Sequence, residues 1–572
     1  GEPDYRFNWN TPIQVSPSGP STIYVGAQFL FRSRDRGRSW ERISDDLTTN
    51  DPQKQRQHES GGLTIDNSTA ENHCTIYTIS ESPLDPQVIW VGTDDGNLQL
   101  SRDGGQSWAN LSDRLPGLPP FTWVSQVQAG NHEAGTAYAV FDGHRTGDMA
   151  TYVYRTLDFG QTWQPLASES LEGYAHVIRD DLVNPELLFL GTEFGLFISV
   201  DRGGDWVRFS GNLPRVAVRD IAIHPRQSDL ILATHGRGIY IIDDLTPLRR
   251  LSAEILEADA ALLDSRPAVI RTPQFSVNMS GDGDFVGETI PPSAGITYHL
   301  RKRHIFGDLK IEVYDQEDRL ITTLPTSKRR GINRVNWAMI GKPPKVAPSP
   351  VLGAFAFGPA AREGEYKIRL IQGKNTYEGS IRLVAPEDSP YSADDRGLRH
   401  ELVMLLYAMQ EDLAYSAAAL TSVRDQARNR SEGLEEEEAE ALRSGLQSLA
   451  DRIDALHKTL LATRKGGISG EYQLRERALQ LYSAVNGYGG RPTQSQQDRA
   501  GLLKANLDSK MEEFEQLLGE ELASLNQRLE EKGLEAVEPL SREDFEKQES
   551  GSRGFGLPPS WVPWVLSAAS LF

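Results

Sequence analysis

Three carboxylates stand out for what their type and position could do. Asp94 and Asp95 open a tight Asp-Asp-Gly turn, and Glu193 sits in the corresponding turn of a later segment. Two carboxylates that face each other at roughly 6–10 Å can act as general acid and general base on a glycosidic bond, one protonating the leaving oxygen and the other activating water. A second set suits different work. Arg145, Arg179 and Arg237 carry planar guanidinium forks that match an anionic group in bidentate fashion, and His144, His176 and His235 lie within three residues of them. The same charges could instead pair with one another and brace neighbouring strands. An Asp-Asp-Gly turn needs no chemistry to explain it, and His235 before Gly236 also suits a turn residue. Sequence alone leaves both readings open.

What must position these residues is a repeat. Ser33-Arg-Asp35-Arg-Gly37-Arg-Ser-Trp40 returns as Ser101-Arg-Asp103-Gly-Gly105-Gln-Ser-Trp108, as Thr156-Leu-Asp158-Phe-Gly160-Gln-Thr-Trp163 and as Ser199-Val-Asp201-Arg-Gly203-Gly-Asp-Trp206. The pattern reads mechanically as a hairpin: an apolar strand enters, the Asp carboxylate binds turn N–H groups, Gly supplies positive φ and Trp packs beneath. Before each box runs an apolar strand, as in Thr22–Gly26, Val88–Gly92, Thr136–Val140 and Leu187–Gly191, and Leu230–Thr234 begins a fifth unit. The box aspartates are 68, 55 and 43 residues apart, and Asp243 follows 42 residues later without the Gly or Trp. Such spacing fits one four-stranded unit per repeat, with the excess of the early units in loops at residues 48–72 and 141–150.

The motif resembles the Asp-box, or neuraminidase-type repeat, of β-propeller proteins, among them sialidases, xyloglucanase-type glycoside hydrolases and sortilin-type receptors. In those families the box is a fold element on the face away from the ligand. The resemblance implies that Asp35, Asp103, Asp158 and Asp201 are structural and that Trp40, Trp108, Trp163 and Trp206 are all buried. Arg6-Phe-Asn-Trp-Asn-Thr-Pro12, Trp90-Val-Gly-Thr-Asp-Asp-Gly96, His176-Val-Ile-Arg179 and Ala233-Thr-His-Gly-Arg-Gly238 look like a large bacterial group of secreted propeller proteins with the sortilin-type repeat, commonly labelled glycosyl hydrolases. It implies a secreted, periplasmic or cell-surface location. No cofactor and no metal is expected.

In a four-stranded blade the turns alternate between two faces. Asp94, Asp95, His144, Arg145, His176, Arg179, Glu193, His235 and Arg237 are therefore expected together, on the face opposite the boxes. A sialidase-like Tyr nucleophile with its Glu partner is not identifiable.

Bulk properties narrow the partners. A net charge of −20 and a pI near 5.1 oppose nucleic acid and anionic membrane as general partners. The single cysteine, Cys74, excludes an intrachain disulfide and a cysteine-based zinc site. No window reaches the length of a membrane-spanning helix. The opening Gly-Glu-Pro-Asp lacks Met and already belongs to a repeat, so further blades are expected upstream, in the same protein or a separate chain.

The domain expectation is a propeller over residues 1–246, a connector over 247–290, an immunoglobulin-like antiparallel sandwich over 291–386, a helical bundle over 394–547 and a tail over 548–572. Within the connector, Asp282 and Asp284 suit a polar turn better than a calcium loop, because no Gly-x5-Glu follows. Leu309, Ile311 and Val313 alternate with Lys310 and Glu312, the period of a strand. The Pro-rich Gly341–Pro350 segment reads as a long connection inside the sandwich. Leu442, Leu446, Leu449, Ile453, Leu456 and Leu460 recur at helical spacing, as do Leu507, Met511, Phe514, Leu518, Leu522, Leu525 and Leu529. Breaks are expected near Gly433, Gly466–Gly467 and Gly487–Pro492, and Glu435–Glu438 reads as a solvated acidic helix start. The sandwich and the bundle are expected to be separable. The apolar Trp561–Phe572 is either an atypical terminus or a segment that docks on a subunit or grazes a membrane.

Three functions compete: a glycoside hydrolase with water attack in the propeller channel, a propeller that captures glycan or peptide without chemistry, and a structural subunit of a surface assembly.

Overall fold

Strands that read as unbroken apolar runs must be covered on both faces, and the first part of the chain meets that demand by packing sheet upon sheet. The computed structural model describes residues 4–61, 63–64, 68, 70–270, 292–351, 356–434, 440–464 and 472–547. Asp282 and Asp284, Glu435–Glu438, Gly466–Gly467 and the C-terminal segment from Trp561 lie outside them. The chain divides into two units, Gly1–Glu257 and Ala258–Phe572.

Among the described residues the first unit holds five successive antiparallel sheets. In the first, β1 (Ile13–Val15), β2 (Ile23–Gly26), β3 (Leu30–Ser33) and β4 (Glu41–Arg42) pair in chain order. The second repeats this with β5 (Ile76–Glu81), β6 (Ile89–Thr93), β7 (Leu98–Ser101) and β8 (Ala109–Asn110). The third has β9 (Trp123–Ala129), β10 (Ala137–Asp142), β11 (Tyr152–Thr156) and β12 (Gln164–Pro165). The fourth has β13 (Ala175–Asp180), β14 (Leu188–Thr192), β15 (Gly195–Ser199) and β16 (Val207–Arg208). The fifth has three strands, β17 (Val218–Ile223), β18 (Leu230–Thr234) and β19 (Ile239–Ile242), followed by the short helices α1 (Thr246–Arg249) and α2 (Ala253–Glu257).

The first strands of successive sheets are neighbours: β1 meets β5, β5 meets β9, β9 meets β13 and β13 meets β17. Apolar layers fill the spaces between sheets. Tyr24, Leu30, Ile43, Ile76 and Ile89 lie between the first and second, and Trp90, Leu98, Val124 and Phe141 between the second and third. Tyr138, Val153, Leu188 and Phe197 lie between the third and fourth, and Val177, Phe189, Val218 and Leu232 between the fourth and fifth. Close approach is required at Gly92, where an added Cβ would come within 2.4 Å of Val124 Cγ1 on the next sheet's first strand.

The four boxes share one hydrogen-bond network. Ser33 Oγ donates to Asp35 Oδ1 (2.8 Å) and accepts from Gly37 N (2.7 Å), while Asp35 accepts the amide and hydroxyl of Ser39 (2.9 and 2.8 Å). The second and third boxes reproduce this with Ser107 and Thr162 as donors. In the fourth, Asp205 has no hydroxyl and donates through its amide alone. Two consecutive left-handed residues make the turn, as at Arg36 (φ 62°) and Gly37 (φ 86°).

These bonds have a pH signature. The Ser39 amide and hydroxyl hold the Asp35 carboxyl down at about 2, and the Ser107 hydroxyl and amide hold Asp103 at about 2. The Thr162 donors lower Asp158 in the same direction. Unfolded aspartate titrates near ~3.9, so the preference for the charged form is fully present above that pH and lost as pH falls through the folded value. The expected result is a melting temperature of the first unit that drops between about pH 4 and pH 2. A variant carrying Asp35→Asn, Asp103→Asn and Asp158→Asn should start lower and vary less. A parent that melts at constant temperature across that window would show that the boxes add nothing.

The box tryptophans correct the expectation that all four are buried. Trp163 and Trp206 are 6% and 3% exposed, but Trp108 is half-buried and Trp40 is 45% exposed. The cause is where each ring sits. Trp108 Nε1 donates to Ile43 O (3.3 Å) and Trp206 Nε1 to Leu166 O (2.9 Å), each on the sheet before its own. Trp163 packs edge-on against Trp90 of the preceding sheet, with centroids 6.0 Å apart. Trp40 belongs to the first sheet and has no earlier one among the described residues.

The second unit starts inside the expected connector. β20 (Ala260–Leu263) and β21 (Ala268–Val269) are sheet strands, not linker. With β22 (Ala294–Leu300), β23 (Leu309–Tyr314), β24 (Leu320–Pro325), β25 (Gly331–Trp337), β26 (Gly364–Gln372) and β27 (Asn375–Val384) they form two sheets, ordered β20-β22-β25 and β21-β27-β26-β23-β24. β21 runs parallel to β27, a departure from the all-antiparallel expectation. Ile296, Tyr298, Ile311, Trp337, Ile368 and Leu370 fill the layer shared by both sheets.

The helices are α3 (Ala393–Glu432), α4 (Glu440–Leu460), α5 (Leu474–Asn486), α6 (Gln494–Gln516), α7 (Leu522–Glu531) and α8 (Arg542–Lys547). α3 opens on a capping box made by Ser392 and Asp395. The apolar series from Leu507 to Leu529 is one helix in sequence but two in space, parted by a π turn where Gly519 leaves helical geometry (ψ −111°). Contacts cross between the two modules expected to be separable. The Pro-rich segment lies on the helices, as do Ala356 and Phe357 beyond it: Ala347 and Ala356 enter the helical core, Arg475 Nε donates to Ala347 O (3.1 Å) and Tyr482 OH to Phe357 O (2.7 Å). Proline-rich backbone leaves carbonyls without sheet partners, and side-chain donors of α5 satisfy them.

Candidate functional site

Each sheet of the first unit has two ends, and the boxes occupy one. At the other, first strands begin and second strands end, as the pairings Asp142↔Trp123, Thr93↔Ile76 and Thr192↔Ala175 show. Asp94 and Asp95 follow β6 here, His144 and Arg145 follow β10, His176 is the second residue of β13, Glu193 follows β14, and His235 and Arg237 lie in the exposed turn after β18. Arg179 does not reach this end. It is the fifth residue of β13, and its guanidinium donates to Ile221 O (2.9 Å) and Asp220 Oδ1 (3.1 Å) on the next sheet. The expected clamp of Arg145, Arg179 and Arg237 is therefore spread over three separate elements.

Asp94 and Asp95 are buried and fully engaged. Asp94 accepts from Thr75 N (2.8 Å), Thr75 Oγ1 (2.6 Å) and Asn8 Nδ2 (3.1 Å). Asp95 accepts from Thr49 N (2.7 Å), Thr49 Oγ1 (2.6 Å) and Thr93 Oγ1. The turn folds both carboxylates back onto the segments at Asn8, Thr49 and Thr75, where buried charge needs donors. Glu193 is engaged elsewhere, so the expected acid–base pair does not share a partner.

The groups that gather at this end are aromatic and imidazole rings, with Arg145, Glu193 and Arg219 among them. Tyr77 packs edge-on to Trp123 (4.9 Å), and the Arg145 guanidinium lies 4.2 Å above the Trp123 ring. His144, on the same sheet as Trp123, stacks on Tyr174 at the start of the next, with centroids 4.5 Å apart and planes 11° from parallel. Tyr174 in turn meets His176 edge-on at 5.0 Å. Asp142 Oδ1 bonds His144 Nδ1 (2.6 Å) and fixes that ring.

His176 is held in one tautomer. Arg219 can only donate, and its Nη1 lies 3.4 Å from Nδ1, so Nε2 carries the proton and donates to Glu193 Oε2 (3.0 Å). Burial, with Arg219 beside it, pushes the imidazole below its usual range. Glu193 moves in the opposite sense to a general acid: burial would raise it, but His176, Tyr174 and Arg219 outweigh burial and lower it. Among the described residues, no three His, Cys, Asp or Glu side chains converge to hold a metal ion, and no helix is long and apolar enough to cross a membrane.

Sequence reasoning named His144, Arg145, His176 and Glu193 here but did not single out Tyr77, Trp123 and Tyr174. A signal existed: all three aromatics stand at the start of first strands in consecutive sheets.

Similarity to known proteins is short or distant. No family model matches the chain. An oligoxyloglucan-reducing end-specific xyloglucanase of Emericella nidulans is 28% identical over 100 residues, 16% of this chain, so the chain spans 11% of that curated relative. A GH74 xyloglucanase structure from Xanthomonas campestris aligns at 11% identity and TM-score 0.32, over 65% of this chain and 54% of that one. A GH74 enzyme from Niastella koreensis aligns at 12% identity and TM-score 0.24, over 42% and 45%. YCF48 bound to D1 peptide aligns at 17% identity and TM-score 0.24, over 45% and 77%.

Proposed function

We propose that the first unit is a run of propeller blades that binds an oligosaccharide, outside the cell, along the ring row from Tyr77 and Trp123 to His144, Tyr174 and His176. The observation that carries this reading is the parallel His144–Tyr174 stack fixed by Asp142. Sugar rings present C–H faces that settle on flat aromatic surfaces, and hydroxyls that bond Glu193 and Arg219. Carboxylates paired to imidazole and guanidinium suit recognition better than proton transfer.

Calorimetric titration with xyloglucan oligosaccharides and a peptide panel tests it. Trp123→Ala and Tyr174→Ala should each weaken glycan binding about tenfold or more. Failure of every glycan to bind, or unchanged affinity in both variants, would end the reading. Hydrolysis is the second reading, favoured by the short match to a xyloglucanase. Release of reducing ends by the parent, abolished in Glu193→Gln, would put it first.

A further inference from the structure

We propose that one end of the paired sheets in the second unit docks on an anionic lipid surface, with Ile305 and Phe306 entering the headgroup region inside a basic collar. Strand pairing gathers the loops at that end. Leu300 pairs with Gly331, Leu309 with Gln372, and Gln372 with Asn375, so residues 301–308, 326–330 and 372–375 emerge side by side. They are bonded to one another: His304 N donates to Lys328 O (3.0 Å), Lys328 Nζ donates to Gly307 O (3.1 Å) and His304 Nδ1 lies 3.4 Å from Gln372 Nε2.

The chemistry of these loops is opposite to that of the chain. Lys302, Arg303, Lys328, Arg329, Arg330 and Lys374 are exposed, and among the described residues none is in an ion pair. Arg301 is spent on Asp259, and within the loops 301–308, 326–330 and 372–375 Asp308 is the one acid. The whole chain carries −20, yet charges beyond a Debye length of about 8 Å are screened, so a docked surface feels this collar first.

Two apolar side chains select the partner. At the tip of the longest loop Ile305 is 67% and Phe306 85% exposed, beside a hollow of ≈ 410 Å³ lined in part by Lys302, Arg303, His304 and Asn375. A soluble polyanion pairs with the cations but offers nothing to cover Phe306. A bilayer interface does both.

Sedimentation of the full chain with vesicles tests the proposal. Vesicles of phosphatidylcholine with about 30% phosphatidylglycerol should carry the protein down, and phosphatidylcholine alone should not. Lys302→Glu with Arg303→Glu and Arg330→Glu should weaken binding by about 100-fold, at about fivefold per residue or more. Ile305→Ser with Phe306→Ser should weaken it more than tenfold, and both variants should keep the parent's melting temperature because the sites are exposed. Equal sedimentation on both vesicles, none on either, or binding untouched by either variant overturns it. Binding of soluble polyuronate as tight as of vesicles, and indifferent to Ile305→Ser and Phe306→Ser, overturns it in favour of a polyanion site.

Discussion

Trp90→Ala should lower the stability of the first unit by about 3–5 kcal/mol, the range for emptying a large buried aromatic site. Trp90 is 0% exposed and sits in the layer between the second and third sheets, edge-on to Trp163. Its removal empties space within that layer, and the paired backbone of β6 cannot collapse into it. Fluorescence-monitored denaturation should show a lower midpoint with little change in slope. The box tryptophans make the test discriminating. Trp206→Ala should approach the same cost, Trp108→Ala should fall well below it, and Trp40→Ala should stay within about 1 kcal/mol, as suits a ring that covers little. Equal losses at Trp90 and Trp40 would contradict the layered packing.

Arg249→Leu should cost about 3 kcal/mol, the low end of the range for stripping one partner from a buried ion pair. Asp181 has a fully buried side chain, and Arg249 reaches it from α1 with Nε and Nη2 at 2.8 and 2.9 Å. Arg249 also donates to Ser228 Oγ (2.8 Å), so one guanidinium ties α1 to the fourth and fifth sheets. The amides of Val183 and Asn184 still donate to Asp181 in the variant, which holds the loss to the low end. A double-mutant cycle with Asp181→Asn is the decisive measurement. If Arg249→Leu costs as much in the Asp181→Asn background as in the parent, the pair is not the source of the effect.

The sheet order of the first unit was legible because each repeat states its own turn: Asp103 and Gly105 can be placed from sequence with their bonding partners. The fate of Trp40 was not, since burial of a ring depends on a neighbouring sheet and the motif is the same with or without one. Asp94 and Asp95 show a related limit. A carboxylate pair at a turn looks available in one dimension, and only the folded loops reveal that Asn8, Thr49 and Thr75 reach it from positions far away in the chain. The Pro-rich segment was assigned to its sequence neighbours, whereas its Ala347 carbonyl finds a donor, Arg475, on α5 128 residues later. Arg179 was misplaced because strand position, rather than motif membership, decides which end a side chain reaches.

The box tryptophans reach backwards. Trp108, Trp163 and Trp206 each settle on the sheet made from earlier residues, and a side chain at Gly105, Gly160 or Gly203 would strike Ile43, Leu111 or Leu166 of that same sheet. A ribosome releasing the chain from its N-terminus therefore delivers every seat before the ring that fills it. Assembly of these ring contacts can proceed one sheet at a time in the order of synthesis. A chain stalled partway through translation would expose one unfinished layer at its growing edge, while the sheets already released stay closed against one another.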